Sequence, residues 1–179
     1  MPDPTSLALV PLTTERIQVV HSLATQYAQA AVMAGQKPAD VALKMHLGEA
    51  LGFDPRVACG MFHVVDGKPS LSSSAALALV LRSPLCEDIL WEEVPGGCRC
   101  TMRRRGIASP YVAEWTMAKA TKAGIASGRN WQKTPEAMLR ARAGMDAARV
   151  LFPDVLAGLY STEELEDNRA PAPPSGSMT

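Results

Sequence analysis

Residues 89–116 read ILWEEVPGGCRCTMRRRGIASPYVAEWT, and this stretch decides the predicted fold. It contains three runs typical of β-strands, Ile89–Val94, Cys98–Arg105 and Tyr111–Thr116. A Pro-Gly-Gly turn joins the first two runs, and a turn around Gly106 precedes the third. We therefore predict an antiparallel three-stranded meander.

Three helices and a hairpin are predicted ahead of the meander. Apolar residues recur with the helical period from Thr14 to Met33, with Thr13 or Thr14 as N-cap. A second helix starts at Pro38, since proline suits a first helical turn, and ends at Leu51. The hairpin has the Asp-Gly signature of a type I′ turn, and a serine-capped helix follows it. The hairpin strands are Met61–Val65 and Lys68–Leu71, the turn is Asp66-Gly67, and the following helix is capped by Ser72 or Ser73 and runs to Leu81.

Three more helices are predicted after the meander. The first opens at Thr116 or Met117 and runs through Ala123, and a loop over Ile125–Thr134 leads to the next helix. That helix is long, begins with a first-turn proline and spans Pro135–Leu151, and a short helix follows near Ser161–Leu165.

The prediction is an α+β fold in which the hairpin and the meander pack with about five helices. We assign residues 1–166 to one domain, with N-terminal helices at 13–52 and a β/α core at 53–165. Residues 167–179 are rich in Pro, Ala and Ser, so we expect a disordered tail there.

The composition is that of an ordinary globular protein, with 47% hydrophobic and 20% charged residues among 179. No apolar run approaches the roughly 20 residues that span a bilayer. The N-terminus also lacks the pattern of a signal peptide. We therefore expect a cytoplasmic protein that makes no membrane contact.

Charge is distributed unevenly along the chain. The formal net charge is zero, yet the span from Arg99 to Arg149 holds eleven basic and three acidic residues. A compact domain with one strongly basic part indicates a localised site for anions.

The predicted helix Pro135–Leu151 carries the clearest candidate site. Arg142, Asp146 and Arg149 fall within about 60° of one another at 100° per residue. Two arginines on one face could contact successive phosphates of a DNA strand, with Asp146 orienting their guanidinium groups. The alternative is a ladder of ion pairs on a solvated helix face.

Two further candidates are a tryptophan beside a lysine and a run of three arginines. Trp131 next to Lys133 could stack on a base, and its alternative role is to fill the core. In the run from Arg103 to Arg105, strand alternation places the outer two on one face and Arg104 on the other. Such a run contacts a nucleic-acid backbone or protects a sheet edge from pairing.

The sequence gives little support for a catalytic site, a metal site or a helix-turn-helix that recognises duplex DNA. Cys98-x-Cys100 lacks a second Cys or His pair at zinc-ligand spacing, and no catalytic motif is present. Residues 50–57 resemble the turn of a helix-turn-helix, but Gly60 leaves too short a recognition helix. We therefore predict no enzyme activity, no catalytic residues and no protein-bound metal.

Seven short landmarks follow one another in a fixed order and together resemble the RecT family of phage single-strand annealing proteins. The lambda Beta protein is more distantly similar. The resemblance covers about residues 38–165. The landmarks are GF-x-P (52–55), GKPSLS (67–72), AK-x-x-KAG (118–124), W-x-K-x-P-x-x-MLR-x-RA (131–143), AR-x-x-FPD (148–154), G-x-Y (158–160) and EEL (163–165).

The resemblance implies ATP-independent annealing of complementary DNA strands in phage-type recombination, with no cofactor. Mg²⁺ is expected only as a counterion of the DNA. It also implies a RecT/Beta-like fold and a ring or helical filament of copies that binds single strands and the annealed duplex in a basic groove. A phage exonuclease or a host single-strand-binding protein is a further candidate partner. The expected DNA-binding residues are Lys68, Arg103, Arg105, Lys119, Lys122, Trp131, Lys133, Arg140, Arg142 and Arg149.

Three other functions remain alternatives. A plain single-strand-binding protein would share the groove without the annealing activity, and a helix-turn-helix regulator would prefer a specific duplex. A nuclease would need clustered carboxylates.

Overall fold

The computed structural model describes residues 13–30, 33 and 35–167. Over these residues the fold is α+β, with two three-stranded sheets and nine helices. The helices are α1 (Thr14–Ala28), α2 (Pro38–Ala50), α3 (Pro55–Met61), α4 (Ser73–Arg82), α5 (Met117–Lys122), α6 (Arg129–Lys133), α7 (Pro135–Leu151), α8 (Pro153–Leu156) and α9 (Thr162–Asp167). The strands are β1 (Phe62–Val65), β2 (Lys68–Leu71), β3 (Cys86–Val94), β4 (Gly97–Arg104), β5 (Tyr111–Thr116) and β6 (Tyr160–Ser161).

The predicted meander is confirmed as the antiparallel sheet β3–β4–β5. Its inner face carries Cys100, Met102 and Ala113, which are at most 3% exposed and join the main core. Helix α7 packs across β4 and β5 on this face. The sheet and α7 therefore form the two layers on which the rest of the core is built.

The predicted hairpin is confirmed as β1 and β2, with Val65 opposite Lys68. Asp66 and Gly67 have φ angles of 51° and 74°, as a type I′ turn requires. The two-residue strand β6 pairs with β2 in parallel and brings the C-terminal end of the described chain to this hairpin. The sequence does not predict β6, because only its pairing with β2 makes these two residues a strand.

Capping residues set the helix starts that the sequence predicts. The side chains of Thr13, Ser72 and Thr116 each accept a hydrogen bond from a backbone N–H in the first turn of the following helix. Pro38 and Pro135 occupy the first turns of α2 and α7. These signals are local, so sequence patterns locate them well.

The first helix is shorter than predicted. It ends at Ala28 instead of Met33, and the backbone N–H of Gln29 closes its last turn on Gln26. Met33 is 6% exposed and packs in a cluster with Val20 and other residues of α1 to α3. The chain must leave the helix to bring Met33 into that cluster, which overrides the helical preference of the alanine-rich sequence.

Three other parts of the prediction need adjustment. The expected loop Ile125–Thr134 contains α6, and the segment after α7 contains α8. Asp167 ends α9 with a side chain only 6% exposed, so it does not begin a disordered tail. The rest of that predicted tail, residues 168–179, lies outside the described residues.

The N-terminal helices form a second hydrophobic cluster, and Ala58 of α3 also packs in the main core. Arg82 of α4 donates a hydrogen bond to the carbonyl oxygen of Gly52 at 3.2 Å and to that of Leu51. Its guanidinium carbon lies 4.6 Å from the centroid of the Phe53 ring. Arg82 thus ties the end of α2 to α4.

A close approach between α2 and α3 gives a test of this packing. A Cβ on Gly48 would lie 2.1 Å from the Cβ of Ala58, whereas a Cβ on Gly60 would meet nothing within 4 Å. We expect Gly48→Ala to lower the free energy of unfolding by about 1–3 kcal/mol, because the helices must move apart. Gly60→Ala is the matched helical control and should raise that free energy by up to about 1 kcal/mol. Urea denaturation measures both, and equal effects would contradict the close approach.

Candidate nucleic-acid interface

A small hydrophobic cluster positions the helices that carry many of the predicted DNA-binding residues. It is formed by Ala120 of α5, Trp131 of α6, and Met138 and Leu139 of α7, each at most 5% exposed. Because α5, α6 and the first half of α7 share this core, their outward side chains lie on neighbouring parts of the surface.

Four exposed cations surround this cluster, and we call them the helical basic surface: Lys119, Lys122, Arg129 and Lys133. In the part of the chain that the structure describes, the last three make no salt bridge. Lys119 lies 4.3 Å from the centroid of the Trp115 ring and 3.6 Å from a carboxylate oxygen of Asp146. The surface therefore presents positive charge with little internal neutralisation.

Arg129 belongs to this surface although it was not among the predicted site residues. Its segment carries no periodic pattern, so the sequence indicates a loop and not α6. The signal available was its place in the basic span, two residues before Trp131.

Trp131 is a core residue, which corrects its expected stacking role in this conformation. Its side chain is 1% exposed, and Nε1 donates a hydrogen bond to Asp167 at 2.9 Å. A base cannot reach a ring that the protein covers on both faces. The alternative interpretation, that Trp131 fills the core, describes its position.

Arg142 and Arg149 lie on one side of α7, as predicted, but each is paired with an acid of α9. The Nε atom of Arg142 donates to Asp167 at 2.9 Å, and that of Arg149 donates to Glu164 at 2.7 Å. In both pairs the second guanidinium nitrogen contacts the same carboxylate. Their side chains are 15% and 29% exposed, so this is not a ladder on a solvated face.

Asp146 does not orient these arginines, which corrects its predicted role. Its carboxylate accepts a hydrogen bond from Nε1 of Trp115 at 3.1 Å and faces Lys119. The guanidinium groups are instead oriented by residues 15 and 25 positions further along the chain. Helical spacing cannot reveal partners so distant in sequence.

Arg149 and Glu164 stabilise each other's charged forms. Burial of the Glu164 carboxyl would by itself raise its pKa, but hydrogen bonds from the Arg149 side chain and the Ser161 backbone outweigh burial and lower it. The same hydrogen bond to Glu164 raises the pKa of Arg149. Both groups are therefore held in their charged forms.

Arg140 lies on the opposite side of α7 from the other two arginines. It precedes Arg142 by two residues, which turns it by about 160°. Its side chain is exposed, and its guanidinium carbon lies 4.6 Å from the centroid of the Trp91 ring. It therefore cannot share one helix face with Arg142 and Arg149.

Arg103 and Arg105 lie away from the helical basic surface. Gly97 pairs with Thr116 next to α5, while Arg103 pairs with Asp88 near the other end of β4, about 20 Å along the strand. Arg105 is 4.0 Å from a carboxylate oxygen of Glu87.

Strand alternation turns Arg104 inward, where it donates to Leu151 and Asp154. This agrees with the predicted separation of Arg104 from Arg103. Lys68 is exposed and lies in the other sheet, beside the hairpin turn. The structure therefore does not gather all ten predicted residues into one patch.

Part of the chain is similar to a known protein family. Residues 87–174, just under half of the chain, match the model of the RecT family. This segment is therefore similar to the RecT family. No curated protein matches it.

The RecT segment begins in β3 and includes the whole candidate interface. It contains five of the seven sequence landmarks, while GF-x-P and GKPSLS lie before it. The similarity indicates phage-type single-strand annealing in recombination, and annealing proteins of this family are generally not enzymes. It also suggests DNA binding and self-association.

Neither a metal-binding cluster nor a membrane-spanning helix occurs among the described residues. Among them, no three His, Cys, Asp or Glu side chains are grouped so that they could hold a metal ion. No helix within the described ranges has the length and apolar character needed to span a membrane.

The coupled pair predicts a pH-dependent stability difference between the wild-type chain and Glu164→Gln. At pH 7 the variant should lose about 1–3 kcal/mol of unfolding free energy, because Arg149 loses a charged partner. The folded-state pKa of Glu164 is lowered, so its contribution is complete above its ordinary value of 4.5 and is lost as the pH falls through the folded value.

Urea denaturation of both proteins at pH 7, 5 and 3 measures this difference. We expect the gap between them to be largest at the two higher values and to shrink at pH 3. A gap that stays constant across the three would contradict the assignment.

Proposed function

We propose that this protein anneals complementary DNA single strands without ATP, and that single-stranded DNA first binds the helical basic surface. The observation that carries this proposal is the set of exposed cations Lys122, Arg129 and Lys133, unpaired among the described residues, within the segment that matches the RecT family. Exposed lysines and arginines around a rigid core favour contacts with backbone phosphates, which are independent of sequence.

Arg142 and Arg149 are the second part of the proposed interface. They adjoin the helical basic surface through the shared cluster and through Trp131, whose partner Asp167 also pairs with Arg142. DNA can contact these two arginines only after their present carboxylate partners have moved away from the guanidinium groups.

The remaining predicted residues lie further along the proposed DNA path. Arg140 is on the far side of α7, Arg103 and Arg105 are at the distant end of β4, and Lys68 is in the other sheet. A DNA strand would reach these residues only where it passes from one copy of this chain to the next in a ring or filament. The acidic remainder of a chain with zero net charge would favour head-to-tail contact with the basic part of the next copy.

The test is an annealing assay with two complementary oligonucleotides that carry a fluorophore and a quencher, without ATP. We expect the wild-type protein to accelerate annealing well above the spontaneous rate. Single-strand binding without acceleration would favour the plain binding protein. Loss of strand integrity in Mg²⁺ would favour a nuclease, and preference for one duplex over unrelated DNA would favour a regulator.

Alanine variants of Lys122, Arg129 and Lys133 test the assignment of the surface. Each should weaken binding to oligo(dT) and reduce the slope of log affinity against log salt by about 0.7, because one phosphate contact is lost. Lys37→Ala is the matched control, since Lys37 is also exposed and has no salt bridge to any residue that the structure describes, but lies at the start of α2. An unchanged slope in all three variants would overturn the assignment.

A further inference from the structure

Helix α9 has the sequence TEELED, and each of its four acidic side chains makes a contact within the protein. Glu164 and Asp167 hold Arg149 and Arg142, and Asp167 also accepts from Trp131. The other two contacts are Glu163 with the backbone N–H and hydroxyl of Ser73, at 3.0 and 2.9 Å, and Glu166 with the amide of Asn130, at 3.0 Å.

The two carboxylates that meet arginines resemble phosphates in their geometry of contact. The two oxygens of Glu164 accept from Nε and a terminal nitrogen of Arg149, whereas one oxygen of Asp167 accepts from both Nε and a terminal nitrogen of Arg142. A planar guanidinium binds carboxylate and phosphate through the same fork of donors. A DNA strand and α9 therefore compete for the same atoms of Arg142 and Arg149.

The attachment of α9 is polar. No residue of the helix is buried, and its single large apolar side chain, Leu165, is only partly covered. The helix is six residues long and follows β6, which makes two residue pairs with β2. The helix therefore depends on its polar contacts more than on apolar burial, and a polyanion that binds the same arginines would weaken its hold.

We propose that α9 is a displaceable acidic strap, which occupies the phosphate-binding arginines of α7 until single-stranded DNA takes its place. This inference rests on the proposed function, because it assumes that DNA binds Arg142 and Arg149. It assigns to the strap a regulatory effect: α9 lowers the affinity for DNA and limits binding to strands that can supply phosphates at both positions.

The double variant E164Q/D167N tests the strap. Both amides keep an oxygen that can accept hydrogen bonds from Ser161 and Trp131, while the charge that holds the arginines is removed. We expect oligo(dT) to bind about three- to tenfold more tightly at 150 mM salt, the gain expected from release of partly exposed ion pairs. Unchanged or weaker binding by the folded variant would overturn the strap.

The control variant is E166Q, which removes one negative charge from the same helix but contacts Asn130 and, within residues 13–30, 33 and 35–167, no arginine. It should leave the affinity within about twofold of wild type, because the general field of one exposed charge is screened. A gain as large as that of E164Q/D167N would mean that net charge and not the strap is responsible, which would also overturn the proposal.

Hydrogen exchange of the wild-type chain gives a second measurement that needs no folded variant. With saturating oligo(dT), backbone amides of residues 161–167 should exchange faster than without DNA, although amides on α7 should not. Unchanged or slower exchange there, with DNA bound, would overturn the strap and leave the proposed function intact. If the wild-type chain did not bind oligo(dT) at all, the proposed function itself would fail.

Discussion

The close contact of α7 with the sheet and with α4 is the constraint on which the rest of the structure depends. At Gly144 an added Cβ would lie 2.7 Å from the Trp91 ring and 3.0 Å from Leu77, so only glycine fits there without movement. Alanines at 143, 147 and 148, all fully buried, extend this small-residue surface along the helix. Small side chains on α7 allow the helix to approach its neighbours closely, and close packing supplies the dispersion contacts of the core.

Because α7 is surrounded on most sides, its three arginines leave the helix in three different directions. Arg140 emerges over Trp91 at one edge of the sheet, and Arg142 emerges beside Trp115 at the other. Arg149 passes between α9 and Tyr160, with its guanidinium carbon 5.0 Å from that ring centroid. Partly buried guanidinium groups need partners, and aromatic faces together with the carboxylates of α9 provide them.

Local signals in the sequence are sufficient for most of the fold. The ends of α7 are those predicted, since a first-turn proline opens the helix and Phe152-Pro153 ends it. The hairpin follows from Asp66-Gly67, whose positive φ angles few other pairs tolerate. The elements that were missed, α3, α6, α8 and β6, are at most seven residues long and exist through tertiary contacts.

The candidate site was predictable in residue type but not in arrangement. Sequence placed Arg142 and Arg149 on one face of a helix, because that depends on the helical period alone. It could not show that Glu164 and Asp167 return to them, since the intervening turn, α8 and β6 determine that contact. The burial of Trp131 likewise depends on Ala120 and Met138, which meet it from two other helices.

A chain with zero net charge can still bind a polyanion, because its cations fall into two groups. Arginines such as Arg104, Arg142 and Arg149 are engaged with acids of the same chain, so they add little to the outward field. Lys122, Arg129 and Lys133 make no such pair among the described residues and therefore account for much of the field around α5 and α6. Association with DNA depends on that local potential more than on the total charge, because screening limits each charge to about 8–10 Å at physiological salt. A protein can thus be neutral overall and still attract a phosphate backbone at one surface, provided that its acids are committed elsewhere.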